Sequence, residues 1–293
     1  MCKSLRKIKG VESVELYALN YKPKKKIDVM IYLNGTKPHA KWADKHVLYM
    51  QNFYPKSSDK MLRFFQKIDY DGYVFISKKI LDIHEKKGYK GIFLPFGIDT
   101  DFFCPRKKDT RFEFEVAHVG NDTKGKYRTN KYLLPAKDFK FGLFGCWKIS
   151  KKQWLKRILG LWRLPYYKKV FINICKRRIS QAKVPVLYSS SKIILNCSNQ
   201  GYADWDAITL RTFEVLACRG FLISDKVPSA EKILRDCVVF SEGGEDLKSK
   251  IRYYLENEKE RVKIAEKGYN YVIKHASIKS RMEKLYKYLR TLK

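Results

Sequence analysis

Two hydrophobic spacings alternate along the chain. Short apolar runs, of the kind a parallel sheet buries on both faces, stand at 27–33, 47–50, 73–76 and 91–94, and 14–18 reads as a further strand after a short basic helix. Helical spacing fills 61–68 and 78–87, the second closed by Gly88. The alternation resumes with a strand from Phe114 to Val119, a helix opening at Gly125 and a strand over 139–144. Ile193, Ile194 and Leu195 form a strand, and a loop rich in Asn, Gln, Gly and Asp runs over 196–206. Leu210, Phe213, Leu216 and Ala217 then recur at helical spacing, Gly220 stops that helix, and Phe221 to Ile223 begin another strand. A helix over 229–235, a strand over 238–240, a helix opening at Glu245 and a helix over 261–274 follow. Ser277 caps a last helix with Ile278, Met282, Leu285 and Leu289 on one stripe. Strands and helices in this alternation predict an α/β chain with parallel sheets.

The stretch 148–183 departs from that pattern. On a helical wheel Trp154, Leu155, Ile158, Leu159, Leu161 and Trp162 fall on one side, with Lys152, Lys156, Arg157 and Arg163 on the other and Lys151 as the exception. Pro165 stops this helix, and a second basic–aromatic stretch follows. Three environments suit it: the protein core, a membrane interface, or one side of a binding cleft. Basic residues beside aromatics also suit single-stranded nucleic acid, although no RNP, KH or zinc-finger pattern accompanies them.

Length and composition narrow the class. A chain of 293 residues, 45% hydrophobic and 14% aromatic, is globular and long enough for two cores. The formal net charge of +32 favours polyanions: nucleotide diphosphates, acidic headgroups, nucleic acid. Much of it is scattered lysine, which a compositional bias also explains. Seven cysteines, odd in number and without a C-x-x-C, fit reduced thiols rather than a disulfide framework or a zinc site. No apolar run approaches the roughly 18 residues of a membrane span, and the N-terminus lacks a signal-peptide core.

Candidate chemistry concentrates in three places. Glu214 interrupts the apolar stripe of its helix; it either pairs with Arg211 one turn earlier or accepts the hydroxyls of a ribose. The strand ending in Gly120 and Asn121 runs into a helix start bearing Lys124, Lys126 and Arg128, a usual place for phosphate. Asp99–Asp101 and Asp204–Asp206 are D-x-D pairs, a weak metal signal, and the first reads better as a turn before the Pro105 linker.

The order strand, Leu195-Asn196, loop, Asp206, seven residues, Glu214 within R-x-F-E, glycine, strand resembles the nucleotide-sugar site of GT-B glycosyltransferases. The turn at 94–105 and the V-G-N…R element at 119–128 resemble the same group, and the best likeness is to its group 1, CgeB-like (spore-maturation protein-like) branch. The resemblance covers roughly 70–290 and implies two Rossmann-like domains facing across a cleft. Residues 1–103 would be a shortened acceptor-side domain without the usual first strand. Residues 104–276 would bind the nucleotide-sugar, and 277–293 would pack back on the first domain. The implied reaction moves a sugar from a nucleotide-sugar to a hydroxyl of a glycan or lipid-linked acceptor, with retention. It needs no metal or other cofactor, the donor being a substrate. In this likeness Glu214 holds the ribose, and Arg128, with Lys124 or Lys126, offsets charge on the leaving diphosphate. Gly120, Asn121, Tyr188, Asn196 and Arg211 line the same pocket, and Asp206 takes the place of the first acid. Arg128, Asp206 and Arg211 would be catalytic. His39, His46 and His118 stay open as general base, with His118 better read as a core residue. The location implied is cytoplasmic, peripheral on the inner face of a membrane, with contact through 151–180. The competing reading is a catalytically idle module of the same fold that binds anionic membrane or polymer.

Overall fold

The computed structural model describes residues 1–18, 22–33, 35–51, 69–161 and 163–292. The helix expected over 61–68 and Trp162 lie outside the described residues. In chain order the elements are α1 (Cys2–Leu5), β1 (Ile27–Tyr32), β2 (Ala43–Met50), β3 (Gly72–Phe75), α2 (Lys78–Glu85) and β4 (Gly91–Phe93). They continue with β5 (Val116–Val119), α3 (Gly125–Tyr132), β6 (Phe141–Phe144), α4 (Lys151–Ile158), α5 (Tyr166–Ile174), α6 (Val184–Ser190) and β7 (Ile193–Asn196). Last come α7 (Gln200–Asp204), α8 (Leu210–Ala217), β8 (Leu222–Asp225), α9 (Pro228–Leu234), β9 (Val239–Ser241), α10 (Gly244–Glu256), α11 (Glu258–Tyr271) and α12 (Ile278–Leu289).

Contacts divide the chain into two units. Unit 1 holds Met1–Ile98, Asp204–Ile208 and Lys274–Lys293; unit 2 holds Asp99–Ala203 and Thr209–Ile273. The division falls inside the turn at 94–105, where Asp99 Oδ1 accepts the amides of Asp101 at 3.1 Å and Phe102 at 3.3 Å. Asp99 thus holds a turn, as the plainer reading of that D-x-D pair has it.

In unit 1 four parallel strands run in the order β1-β2-β3-β4. Successive side chains of a strand point to opposite faces, so each strand feeds two cores. Leu48, Met50, Tyr73 and Phe75 pack with Ile80 and Leu81 of α2 on one face. Val47, Tyr49, Val74 and Ile76 pack with Leu5, Met282 and Leu285 on the other, which puts α12 in this core. Ser277 caps α12 by accepting the Ser280 amide at 3.1 Å. Trp205 of the inserted segment packs against the first face, where Ser77 Oγ donates to its carbonyl. Residues 14–18 form no strand: Leu16 is exposed, and the V-E-L-Y alternation finds no ladder.

Unit 2 is a doubly wound sheet of five parallel strands in the order β6-β5-β7-β8-β9. Val116, Phe141, Leu143, Ile193, Leu195 and Ile223 supply one continuous core, closed by Trp147 and Phe171 from the stretch after β6. The chain steps from β5 outward to β6 and then back across to β7. The order therefore reverses between β5 and β7, and the connections leaving their carboxyl ends part there, which is where such sheets bind ligands. The loop read over 196–206 contains the short helix α7. At the end of α8 the left-handed residue is Arg219 (φ 54°), not Gly220. Gly220 serves close packing instead, since a Cβ there would stand 2.7 Å from Val215 Cγ1.

Candidate nucleotide-diphosphate site

The reversal point gathers the loop after β5, the end of β7, the start of α8 and the end of β8. Gly145 (φ +137°) lets the β6 loop close on the β5 loop, for a Cβ there would lie 2.0 Å from the Gly120 carbonyl oxygen. Gly120 N donates to Phe144 O at 2.9 Å, and Asn121 Oδ1 accepts the Cys146 amide at 2.9 Å. Gly120 and Asn121 thus shape the loop through backbone approach and a side-chain brace.

Arg128 is buried and forms an ion pair with Asp225, while its Nε donates to Ser198 O at 2.7 Å. Asp225 Oδ1 also accepts the Ser198 amide at 2.9 Å. Burial pushes the Asp225 carboxyl up, and Arg128 pulls it back. The sequence reading has Arg128 open toward a diphosphate; the structure engages it with Asp225, because a buried guanidinium needs a counter-charge. Asp225 went unread in the sequence, its one signal being an acid at the end of an apolar strand. Asn196 is likewise engaged: its Nδ2 donates to Ser224 Oγ at 3.0 Å, and its Oδ1 accepts from Thr209 Oγ1 at 3.3 Å. It ties β7 to β8 and to the residue that opens α8.

Lys124 and Arg211 differ from Arg128. Neither forms an ion pair with an acid among the described residues, and Arg211 Nε is buried without an acceptor. Burial and then the Arg211 charge push the Lys124 ammonium below its usual range. Burial, then Arg211 and Lys124, hold His118 well below the usual imidazole range. His118 is fully buried on β5 and neutral, bonded through Nδ1 to Leu195 O at 2.8 Å, the core role expected of it. Two cations therefore share one low-dielectric site and repel each other.

Glu214 stands one turn along α8 from Arg211. It is half-buried and is not joined to Arg211 in an ion pair; the Tyr188 hydroxyl donates to its Oε2 at 3.4 Å. Burial pushes the Glu214 carboxyl up, and Arg211 and the Tyr188 hydroxyl pull it back. The structure thus brings Lys124, Arg211, Glu214 and Tyr188 together beside His118. Lys126 is exposed on the first turn of α3. Asp206 belongs to unit 1 and has φ 50°. A separate cavity of about 660 Å³ opens among Glu115, Lys140, Lys192 and Arg261 at the amino ends of the strands, and Tyr188 borders it too.

A doubly wound parallel sheet with paired cations at its reversal point has the build of a Rossmann-like nucleotide-binding unit, and a chain with two Rossmann-like units has the GT-B fold. The chain belongs to the glycosyl transferase-like family, whose profile matches residues 128–287. Comparison with curated protein sequences finds no match. Among solved structures, the sucrose-phosphate synthase of Thermosynechococcus elongatus aligns with a TM-score of 0.61 at 12% identity, over 86% of this chain and 69% of that one. A glycosyltransferase from Rickettsia africae aligns with a TM-score of 0.61 at 15% identity, over 90% and 76%. Anabaena HepE, solved in complex with UDP and glucose, aligns with a TM-score of 0.61 at 12% identity, over 85% and 72%.

Proposed function

We propose that the chain transfers a hexose from a nucleoside-diphosphate sugar to an acceptor hydroxyl, as a member of the CgeB-like branch of its family. One observation carries this reading: Lys124 and Arg211 lie close together at a largely buried site, neither of them in an ion pair with a carboxylate among the described residues, beside the half-buried Glu214. Two such cations are repulsive until an anion lies between them, and a diphosphate supplies that charge. Glu214 then accepts the ribose hydroxyls, and the Tyr188 hydroxyl orients it. Charge developing on the leaving diphosphate is offset by Lys124 and Arg211 without a metal. Arg128 acts as a positioning residue, holding the end of β8 and the Ser198 turn against the donor loop. Asp206 is catalytic, as the family likeness implies, and the sugar is transferred with retention to a glycan or lipid-linked hydroxyl. The complex of HepE with UDP and glucose supports a uridine donor by likeness of fold. The seven free cysteines fit a reducing, cytoplasmic location.

Calorimetric titration with UDP, GDP and ADP tests the reading. The expected result is binding of at least one diphosphate that Lys124→Ala and Arg211→Ala each weaken. Absence of binding by all three would leave the fold without donor chemistry and favour the idle-module alternative.

A further inference from the structure

Helix α4 is amphipathic, yet none of its residues is buried. Trp154, Leu155 and Ile158 share one face, and Leu159 and Leu161 extend it into the following turn; these five side chains are between 54% and 73% exposed. Lys152, Lys156 and Arg157 lie along the other side of the helix, Arg163 follows the turn, and Lys151 opens the helix on the apolar side. The next helix behaves differently: α5 buries Tyr167, Lys168 and Phe171. Tyr166 and Ile172 of α5 are also exposed, but the run of exposed apolar side chains is densest on α4 and its turn. A contiguous exposed apolar face of this kind marks an interaction site.

Three features specify the occupant. The face carries a tryptophan and branched aliphatics, which seat at the boundary of headgroups and acyl chains. Its borders are basic, and long basic side chains bury their stems while their heads reach acidic headgroups. A second copy of this chain would bring the same positive charge, since each chain carries +32.

The helix is also held to the donor loop. It follows the carboxyl end of β6, the strand next to β5, so it leaves the sheet at the same edge as the Lys124 loop. Asp122 of that loop pairs with the buried Lys168 of α5 at 2.7 Å. Lys168 Nζ in turn donates to Gln153 Oε1 of α4 at 3.2 Å, and Gln153 closes a capping box with Ser150. The chain Asp122–Lys168–Gln153 fixes the apolar face relative to the donor loop.

We propose that α4 and the turn through Leu161 lie in the surface of an anionic lipid bilayer, with the donor loop held at the same edge. The proposal needs no nucleotide and stands apart from the donor reading. Flotation with phosphatidylcholine vesicles, with and without phosphatidylglycerol, tests it on the full chain. The wild type is expected to float with the phosphatidylglycerol vesicles. The triple variant Leu155→Gln/Ile158→Gln/Leu161→Gln, which changes only exposed side chains, is expected to partition roughly tenfold less. Equal flotation of the two proteins, or none by the wild type, would overturn the proposal. So would lipid-free dimerisation of the wild type that the variant abolishes, which would assign the face to a second copy. UDP titration of both proteins without vesicles reports separately on donor binding and on the integrity of the variant.

Discussion

Asp225, at the end of β8, holds Arg128 of α3 in a buried ion pair, and the same carboxylate accepts the amide of Ser198 beyond β7. One acid therefore braces three elements around the reversal point of the sheet. Removing a single partner of a buried pair leaves an uncompensated charge, which costs about 3–5 kcal/mol. Asp225→Ala is expected to destabilise unit 2 by that amount in urea unfolding. The double variant Asp225→Leu/Arg128→Leu, which removes both charges, is expected to lose less than Asp225→Ala alone.

Glu214 gives a pH signature. Its carboxyl is pushed up, chiefly by burial, so it takes up a proton at a higher pH than an ordinary glutamate. Ribose hydroxyls donate to the ionised form, so donor affinity is expected to fall as pH drops through this raised value. The fall should begin above the usual carboxylate range, and Glu214→Gln should abolish the pH dependence. Glu214→Ala is expected to weaken donor binding by about 1–3 kcal/mol, the scale for leaving buried polar partners unpaired. Calorimetry across a pH series reads both effects.

Lys124 titrates in the other direction. Burial and Arg211 hold its ammonium below the usual lysine range, and a diphosphate alongside would restore it. Donor binding at alkaline pH is therefore expected to take up protons, measured as a dependence of the binding enthalpy on buffer ionisation. Lys124→Ala should remove that uptake and cost about 1.5–3 kcal/mol, as for a hydrogen bond to a charged group. Lys192→Ala, in the cavity at the amino ends of the strands, should change neither quantity.

Gly145 tests the close approach of two loops. An alanine there would combine a φ of +137° with a Cβ 2.0 Å from the Gly120 carbonyl. Strain of this kind costs of order 1–3 kcal/mol. Gly145→Ala is expected to lower the melting temperature and weaken UDP binding together, whereas Gly160→Ala, with open space around it, should leave UDP binding intact.

The strands were legible because a parallel sheet buried on both faces leaves unbroken apolar runs, as at Val47–Met50 and Ile193–Leu195. The stretch 14–18 misled because its alternation suits a strand, but a strand needs a neighbour and the pattern names none. In the site, Glu214 stood out as an acid on an apolar stripe, and Lys124 as a cation after a Gly-Asn turn. The partner of Arg128 could not be read, since Asp225 lies 97 residues away and only the order of the strands brings them together. The two basic–aromatic helices look alike on a wheel. Burial of Phe171 and exposure of Ile158 depend on which neighbours the sheet supplies, and periodicity does not carry that information.

The core of unit 1 holds Leu94 and Leu285 in one buried cluster. Between them in the chain lies all of unit 2, so a ribosome finishes β4 long before it makes α12. Until α12 emerges, the face of the first sheet that bears this cluster is covered only in part, by Leu5 of α1 and its neighbours, and closing it means joining very distant segments. Unit 2 is wholly made before α12, so it is the part that can mature first, and the newly made β1–β4 sheet is the part a chaperone would shield.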